Sequence, residues 1–440
     1  MKKLFTILLA FIFANISILA NGLSLNSPGP VGLGIGGAYV GFANDLSTIY
    51  WNPAGITKVK SPQLSLYYNA VMPQVSYKFD AAQIDAKSEP TMYHVPGVFT
   101  AWPCMFMDDL YIGLGIYIPA GLGTKWNGDD LKNLSIPQGN SYEWESQIGA
   151  IDIQPTFAYK FNDMLSLGVG FNLRYGMFDL KRPMIVHVLN DIIMGQYSEE
   201  STGWGFGISA GLLFKPIDML AIGLSFKTEN KVSFEGTANH DVLKNVVYPS
   251  LQQFGITYQE ATLKRDLAWP LWFGAGLAIE PIENLTLAFD VQYSQWSKTE
   301  DTIETTYEGW IDVEKLLASQ GQTKENMKEN LKLHWEDAMQ IRFGLQYNLS
   351  PELALRLGYY IDPAPAPDET LNILFPSNTY NGLTFGGTYW MDKFAIDFGF
   401  EYLMGDKRNI KQSTENMPGT HQTNIIAFGV GFRYVFASAE

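Results

Sequence analysis

Runs of ten or more residues with a large apolar side chain at every second position constrain the fold of this chain more than any other feature. Between residues 165 and 177, Leu, Leu, Val, Phe, Leu, Tyr and Met alternate with Ser, Gly, Gly, Asn, Arg and Gly. Period-two alternation is typical of a β-strand with two different faces. The glycine-rich set indicates an enclosed face, and the large set indicates a face toward hydrocarbon. The pattern recurs at residues 285–293, 339–347, 353–359, 394–402 and 426–436.

The connections between these runs alternate between short and long. Short turns rich in Pro, Asn and Asp fall near residues 104–109, 162–164, 215–219, 280–284, 349–352 and 391–393. Long connections fall near residues 80–89, 121–145, 180–202, 236–265, 299–335, 362–378 and 405–421. Short turns on one side and long loops on the other are the plan of an outer-membrane barrel. We therefore predict an all-β fold, a transmembrane antiparallel β-barrel of about 14 strands over residues 61–436.

Some boundaries of this prediction are specific enough to test. The third strand is predicted at residues 110–120, and residues 219–235 and 266–280 are each predicted to form one strand. Two long connections contain helix-like sequence, at residues 184–194 and 312–333. The short turns are expected on the periplasmic side, because an even strand count leaves both ends of the barrel there.

The N-terminus has the plan of a secretory signal peptide. Lys2 and Lys3 precede an apolar run that ends at Ala20, after which we expect cleavage. In the remaining chain no apolar stretch approaches the roughly 18 to 20 residues that a transmembrane helix requires. Aromatic residues make up 14% of the chain and glycines number 41, which favours β structure with aromatic girdles. A short tail, residues 437–440, follows the last strand.

Composition and motifs exclude several classes of function. The net charge of −15 argues against nucleic-acid binding, which requires a basic surface. The single cysteine, Cys104, cannot form a disulfide within the chain. The sequence has no nucleophile elbow, zinc-protease motif, phosphate-binding loop or Cys/His cluster. We therefore predict that the chain is not an enzyme, and we expect neither a cofactor nor a bound metal.

A compact, turn-rich segment precedes all the strand patterns. It reads NDLSTIYWNPAGI at residues 44–56 and follows a run with glycines at 29, 32, 34, 36, 37 and 41. Pro53 fixes its own φ and moves Asn52 away from the α region, while the Asn52 side chain can bond nearby backbone groups. Glycines allow a backbone to approach other surfaces closely. A segment of this kind is suited to pack inside a larger structure, with its backbone close to the surrounding surfaces.

This segment, placed before about 14 amphipathic strands, resembles the FadL/TodX family of outer-membrane transporters for long-chain fatty acids and hydrocarbons. The resemblance covers essentially the mature chain and is most specific at Asp45 and at Asn52-Pro53-Ala54. It is supported by IPAGLGTKW at residues 118–126 and by IRFGLQYNLSPELALRLGYYIDPAPAP at residues 341–367.

The resemblance implies a location and a mechanism. The protein would lie in the outer membrane of a Gram-negative bacterium, with residues 21–60 as a hatch inside the barrel and Asp45, Asn52, Pro53 and Ala54 in the gating part. A fatty acid or another hydrophobic small molecule would be caught outside and passed to an inner pocket. It would then leave sideways into the membrane lipid through a gap beside a kinked third strand. We expect a monomer.

The sequence contains a candidate for this gap. Pro119, Gly121 and Gly123 interrupt the third strand, since proline removes a ladder donor and glycine permits a bulge. A second interpretation is that Pro119 simply ends the strand before a long loop.

Charged residues on the predicted inner face are candidates for ligand binding. We expect most to pair with one another or with the hatch, because an isolated charge in a crowded lumen is costly. Arg174 and Lys160 are our candidates for holding a ligand carboxylate. Two other functions remain open, a general diffusion porin and a structural or adhesive surface barrel.

Overall fold

The computed structural model describes residues 22–25, 28–135, 137–188, 191–298, 301–320, 322–413 and 415–436. The predicted signal peptide and the C-terminal tail, residues 1–20 and 437–440, lie outside these ranges. Within the ranges, no helix combines the length and the apolar character needed to cross a membrane.

Strands dominate the described residues, and all of them belong to one antiparallel sheet. In chain order they are β1 (Gln63–Phe79), β2 (Ile84–Lys87), β3 (Tyr93–Pro103), β4 (Leu110–Trp126), β5 (Trp144–Lys160), β6 (Leu165–Val188), β7 (Asp191–Ile217), β8 (Leu220–Lys227), β9 (Asn230–His240), β10 (Ala261–Trp269), β11 (Trp272–Ile282), β12 (Leu285–Ser294), β13 (Thr302–Ile311), β14 (Asn326–Lys332), β15 (Ala338–Asn348), β16 (Leu353–Asp362), β17 (Tyr380–Met391), β18 (Phe394–Gly405), β19 (Arg408–Ile410) and β20 (Gly419–Val435).

Helices in the described residues are short. The α-helices are Pro30–Gly34, Thr48–Trp51, Gly128–Leu131, Tyr248–Leu251 and Val313–Ala318. The 3-10 helices are Pro53–Lys58, Asp80–Ala82, Lys132–Leu134, Gln252–Phe254 and Trp296–Lys298, and Leu243–Val247 forms one π-helical turn.

Fourteen strands close into a barrel, as the alternation predicted. Around the ring their order is β1, β3, β4, β5, β6, β7, β8, β11, β12, β15, β16, β17, β18 and β20. β20 returns to β1 along a continuous register from Gln63–Val435 to Lys78–Thr420. Closure removes the two open edges that a sheet of this size would otherwise present to lipid.

Burial follows the predicted two-face pattern. On β6, Leu167 and Leu173 are 39% and 42% exposed, whereas Asn172 and Arg174 are 6% and 8% exposed. The large apolar set therefore faces outward and the small or polar set faces the lumen. This arrangement is inverted relative to a soluble barrel, because the solvent outside is hydrocarbon.

Four predictions about individual segments were wrong, and two of them concern the helix-like sequence in long connections. The described part of residues 184–194 is strand and not helix: β6 continues to Val188 and β7 begins at Asp191, and their pairing extends the hairpin beyond the barrel wall. Only the first part of residues 312–333 is helical. Residues 326–332 pair with β13 as strand β14. The hydrogen bonds and packing available along the free edge of β13 outweigh the local helix propensity of these residues.

The other two corrections concern predicted single strands. Residues 219–235 divide into β8 and β9, and residues 266–280 divide into β10 and β11. The second break includes Pro270, which has no N–H to donate to a ladder. At these breaks β9 leaves β8 to pair with β7, and β10 pairs with β9, so the chain builds an additional sheet of β7, β9, β10, β13 and β14 on the side of the long loops.

Candidate functional site

Residues 28–60, here called the N-terminal segment, are buried almost throughout. Asn52 has an extended backbone (φ −156°, ψ 98°) and ends the helix Thr48–Trp51, and Pro53 opens the next helical turn. The Asn52 side chain donates to the carbonyl oxygens of Val40 at 2.8 Å and Leu212 at 3.0 Å, and accepts from Ala54 N at 3.2 Å. Asn52 therefore joins two parts of the segment to the barrel strand β7.

Asp45 fixes the preceding turn. Its carboxylate accepts from Tyr39 Oη at 2.5 Å and from the backbone N–H of Ser47 at 3.0 Å. Ala54 has no exposed surface. The structure thus places Asp45, Asn52, Pro53 and Ala54 in one tightly bonded turn region; their role in gating stays a prediction.

The N-terminal segment contacts glycines on the inner faces of strands all around the ring. A Cβ atom at Gly34 would lie 2.7 Å from Gly386 Cα on β17, and a Cβ at Gly41 would lie 2.8 Å from the Gly276 backbone on β11. On β6, a Cβ at Gly168 would lie 2.4 Å from the Pro53 backbone. Backbone meets backbone at these points, so neither side can carry a larger residue without displacement.

Buried charges of the barrel also hold this segment. The Asp290 carboxylate accepts from the backbone N–H groups of Tyr39 and Val40 at 2.7 and 2.8 Å, and Arg342 donates to the Gly36 carbonyl at 2.9 Å. Other inward charges pair across neighbouring strands, as Asp397 and Arg433 do at 2.6 Å. The expectation that most inward charges find partners is confirmed.

One stretch of the barrel wall is incompletely paired. β3 pairs with β4 only from Val98–Ile116 to Pro103–Tyr111, and its residues 93–97 pair with β1 alone. On the other side of β4, the register with β5 shifts between Tyr117 and Ala120. We call the wall between residues 93–97 of β3 and residues 117–122 of β4 the seam. Contacts between the β4 end and the β1–β3 connection close the wall again, where Glu89 N donates to Lys125 O at 2.7 Å.

Of the residues predicted to interrupt this strand, Pro119 and Gly121 lie at the seam, and Gly123 lies one residue beyond it. β4 continues past Pro119 to Trp126, so the interpretation that Pro119 ends the strand is wrong. A Cβ at Gly123 would lie 2.2 Å from Tyr93 Oη, so only glycine lets the tyrosine reach across from β3. A Cβ at Gly121 would make only ordinary contacts, with Ile148 O at 3.7 Å and Leu25 Cδ1 at 4.0 Å, so this position has room for a side chain.

Residues 23–25, here called the latch, cover the unpaired edge of β4. Leu25 N donates to Pro119 O at 2.9 Å, Gly121 N donates to Leu23 O at 3.0 Å, and Ser24 lies opposite Ala120. These bonds satisfy backbone groups that would otherwise be open inside the membrane, where an unpaired group is costly. Sequence analysis missed the latch, because nothing local in residues 23–25 indicates pairing with a strand about a hundred positions away.

An apolar cavity of about 470 Å³ lies directly behind the seam. Its walls come from both sides of the seam, from the latch and from strands across the lumen, and include Leu25, Val71, Val95, Ile118, Ile148 and Leu403. A cavity of this volume and character is the usual size of a small-molecule site.

A smaller polar cavity of about 50 Å³ adjoins it, and Ser24 of the latch lines both. Arg174 lies there but is engaged, because its Nε and a terminal nitrogen donate to Asp152 at 2.7 and 2.8 Å. Lys227 lies there with its Nζ 3.2 Å from the centre of the Tyr50 ring, and no acid of the described residues lies within ion-pair distance of it. Trp269 Nε1 is also buried without a hydrogen-bond partner.

The two predicted carboxylate-binding residues therefore lie in different places. Arg174 lines the polar cavity, whereas Lys160 lies at the turn between β5 and β6, where its Nζ is 2.7 Å from Asp163. Lys227 was recognisable from the sequence only as one of several inward charges. Its lack of an acidic partner depends on which strands flank β8, and this is not visible in the alternation.

Comparison with known proteins agrees with this architecture. Residues 12–436 match the family described as Outer membrane protein transport protein (OMPP1/FadL/TodX). The long-chain fatty acid transport proteins of Salmonella typhi and Escherichia coli K12 are 25% and 24% identical to the chain, with 92% of each chain covered.

Solved structures share the fold. A Pseudomonas aeruginosa FadL homologue superposes with a TM-score of 0.79 at 15% identity, and the alignment covers 94% of this chain and all of the homologue. The Pseudomonas putida toluene transporter TodX gives a TM-score of 0.70 at 16% identity, with the same coverage. The protein resides in the outer membrane of a Gram-negative bacterium, and it is a transport protein rather than an enzyme. The chain belongs to the OMPP1/FadL/TodX family of outer-membrane transport proteins.

Proposed function

We propose that this protein carries long-chain fatty acids or similar hydrophobic molecules passively through the outer membrane and releases them sideways through the seam. Residues 21–60 act as the hatch that blocks a straight passage, and residues 61–436 form the barrel. The single observation that carries the proposal is the apolar cavity of about 470 Å³ at an unpaired stretch of the wall.

The driving force is partition of the apolar chain. Each buried methylene contributes about 0.8 kcal/mol, so a long acyl chain gains free energy first in the apolar cavity and then in the bilayer. No energy source is required if each step leads away from water. The seam offers a route in which the acyl chain does not return to water before it reaches lipid.

The polar cavity suits a ligand with a carboxylate. Lys227 Nζ and Trp269 Nε1 are donors without acceptors among the described residues, and Arg174 adds to the positive charge. A carboxylate bound there could direct its acyl chain past Ser24 into the apolar cavity. Relatives named for long-chain fatty acid transport agree with this choice, and a neutral hydrocarbon would leave Lys227 without a partner.

Filling the apolar cavity tests the proposal. We expect Gly121→Phe to reduce uptake of a labelled long-chain fatty acid to the background of cells that lack the protein, because Gly121 lines the cavity and the ring would occupy its opening at the wall. Ala210→Phe adds the same ring on the lipid-facing side of β7 and serves as the matched control. Both variants should keep the heat-dependent gel migration of a folded barrel. Normal uptake by folded Gly121→Phe would contradict release through the seam.

A further inference from the structure

The short turn between β3 and β4 exposes three large apolar side chains in succession. Met105, Phe106 and Met107 are 86%, 92% and 55% exposed, which makes Phe106 an unusually open aromatic residue. Exposed apolar clusters of this kind mark contact with another phase or another molecule. The neighbouring turn between β5 and β6 has the polar residues Asn162 and Asp163 at its tip, where the Asn162 side chain accepts from the backbone N–H groups of Met164 and Leu165.

The cluster continues the lipid-facing surface of the barrel. Trp102 on β3 lies opposite Ile112 on β4, and the outward positions of β4 continue with Leu114 and Ile116. On the adjacent hairpin, Phe161 is 55% exposed at the same end of the barrel. The turn therefore extends an apolar band that already faces hydrocarbon.

We propose that Met105, Phe106 and Met107 insert into the periplasmic interface of the outer membrane and that phospholipid is the occupant of this surface. Apolar and aromatic residues at the ends of barrel strands are favoured at the membrane interface. The three side chains carry no charge, and the acidic pair Asp108 and Asp109 marks the return of the chain to water.

This turn joins the two barrel strands that share the fewest ladder pairs, so its insertion would stabilise the hairpin. β3 and β4 share only the register from residues 98 to 103 with residues 111 to 116, the shortest pairing between neighbouring barrel strands. Along the seam, β3 and β4 form no further ladder pairs. Insertion of the turn provides a second attachment for the hairpin beside the opening, whichever molecule the protein carries.

The single cysteine makes a direct test possible. In a Cys104→Ala background, Phe106→Cys carries one nitroxide spin label, and Asp163→Cys carries the same label at the polar tip of the neighbouring turn. Both full-length proteins are reconstituted into vesicles of zwitterionic and anionic phospholipid. We measure collisions of each label with oxygen, which concentrates in lipid, and with a water-soluble nickel chelate.

We expect the label at position 106 to collide preferentially with oxygen and the label at position 163 to collide preferentially with the nickel chelate. Gel migration checks that both variants are folded. If the label at position 106 is as open to the nickel chelate as the label at position 163, the insertion is wrong and the cluster is a surface for a periplasmic protein instead.

Discussion

At the residue scale, Lys227 is our candidate for the residue that distinguishes acidic from neutral ligands. Its ammonium lies over the rings of Tyr50 and Trp272, at 3.2 and 4.5 Å from their centres, while the nearby acid Asp152 is occupied by Arg174. Aromatic rings compensate a half-buried cation only in part. A ligand carboxylate would complete the pairing, so we propose that Lys227 favours acids over neutral hydrocarbons.

Replacement of Lys227 should weaken the binding of acids and leave the binding of neutral hydrocarbons unchanged. We expect Lys227→Met to weaken binding of a long-chain fatty acid about 10- to 100-fold, since a hydrogen bond to a charged group contributes about 1.5–3 kcal/mol and 1.4 kcal/mol is a factor of ten. Binding of a neutral hydrocarbon of equal length should not decrease. Equilibrium binding of labelled ligands to the purified protein measures both.

Lys231→Met is the matched control for this substitution. Lys231 pairs with Asp266 at 2.5 Å on the exposed face of the additional sheet, away from both cavities. Its loss should leave both affinities unchanged. An equal loss of acid and hydrocarbon binding by Lys227→Met would show that the lysine supports the shape of the cavity rather than the carboxylate.

At the scale of elements, the seam and the latch form one unit. The wall is open where β3 stops pairing with β4, and the latch closes it with two backbone hydrogen bonds. Those bonds flank Ser24 and Ala120, so these two residues face each other as a pair without mutual hydrogen bonds. The side chains of such a pair lie close together, which suits a disulfide.

A disulfide across this pair should stop release. In a Cys104→Ser background, we expect oxidised Ser24→Cys/Ala120→Cys to show only background fatty-acid uptake, because the latch can no longer leave the edge of β4. Reduction should restore uptake in the same cells. The two single-cysteine variants serve as controls for the oxidant. Equal uptake in the oxidised and reduced states would mean that the latch stays in place during transport.

At the scale of the whole molecule, the N-terminal segment and the barrel depend on each other. The segment contributes a helix cap, an Asp45 turn and a series of close glycine contacts, and the barrel contributes Asp290 and Arg342 as partners for its backbone. The lumen has a polar inner face, so without the segment it should fill with water.

Removal of residues 21–60 tests this dependence. We expect the shortened barrel to fold, to conduct ions steadily in planar bilayers and to unfold at lower denaturant concentration than the intact chain. Each buried polar group that loses its partner costs about 1–3 kcal/mol unless water replaces it. The intact chain should not conduct steadily. Steady conductance by the intact chain would instead support a general diffusion porin.

Much of the barrel was predictable because its signal is local. The alternation of side chains along a strand reflects the two solvents on either side of it, so strand number and the sidedness of the turns can be read without knowing any neighbour. Pro119, Gly121 and Gly123 were also recognisable as residues that could disturb the third strand, since proline and glycine change the local backbone.

The sequence by itself therefore determined the all-β barrel, its fourteen strands and its location, and it drew attention to the stretch around Pro119. Only the tertiary structure decided that this stretch lies beside an unpaired edge, that the latch covers this edge, and that Lys227 lacks an acid while Arg174 has one. The physical reason is that pairing between distant segments follows from closure of the ring, and a period-two pattern carries no information about which strand will be the neighbour.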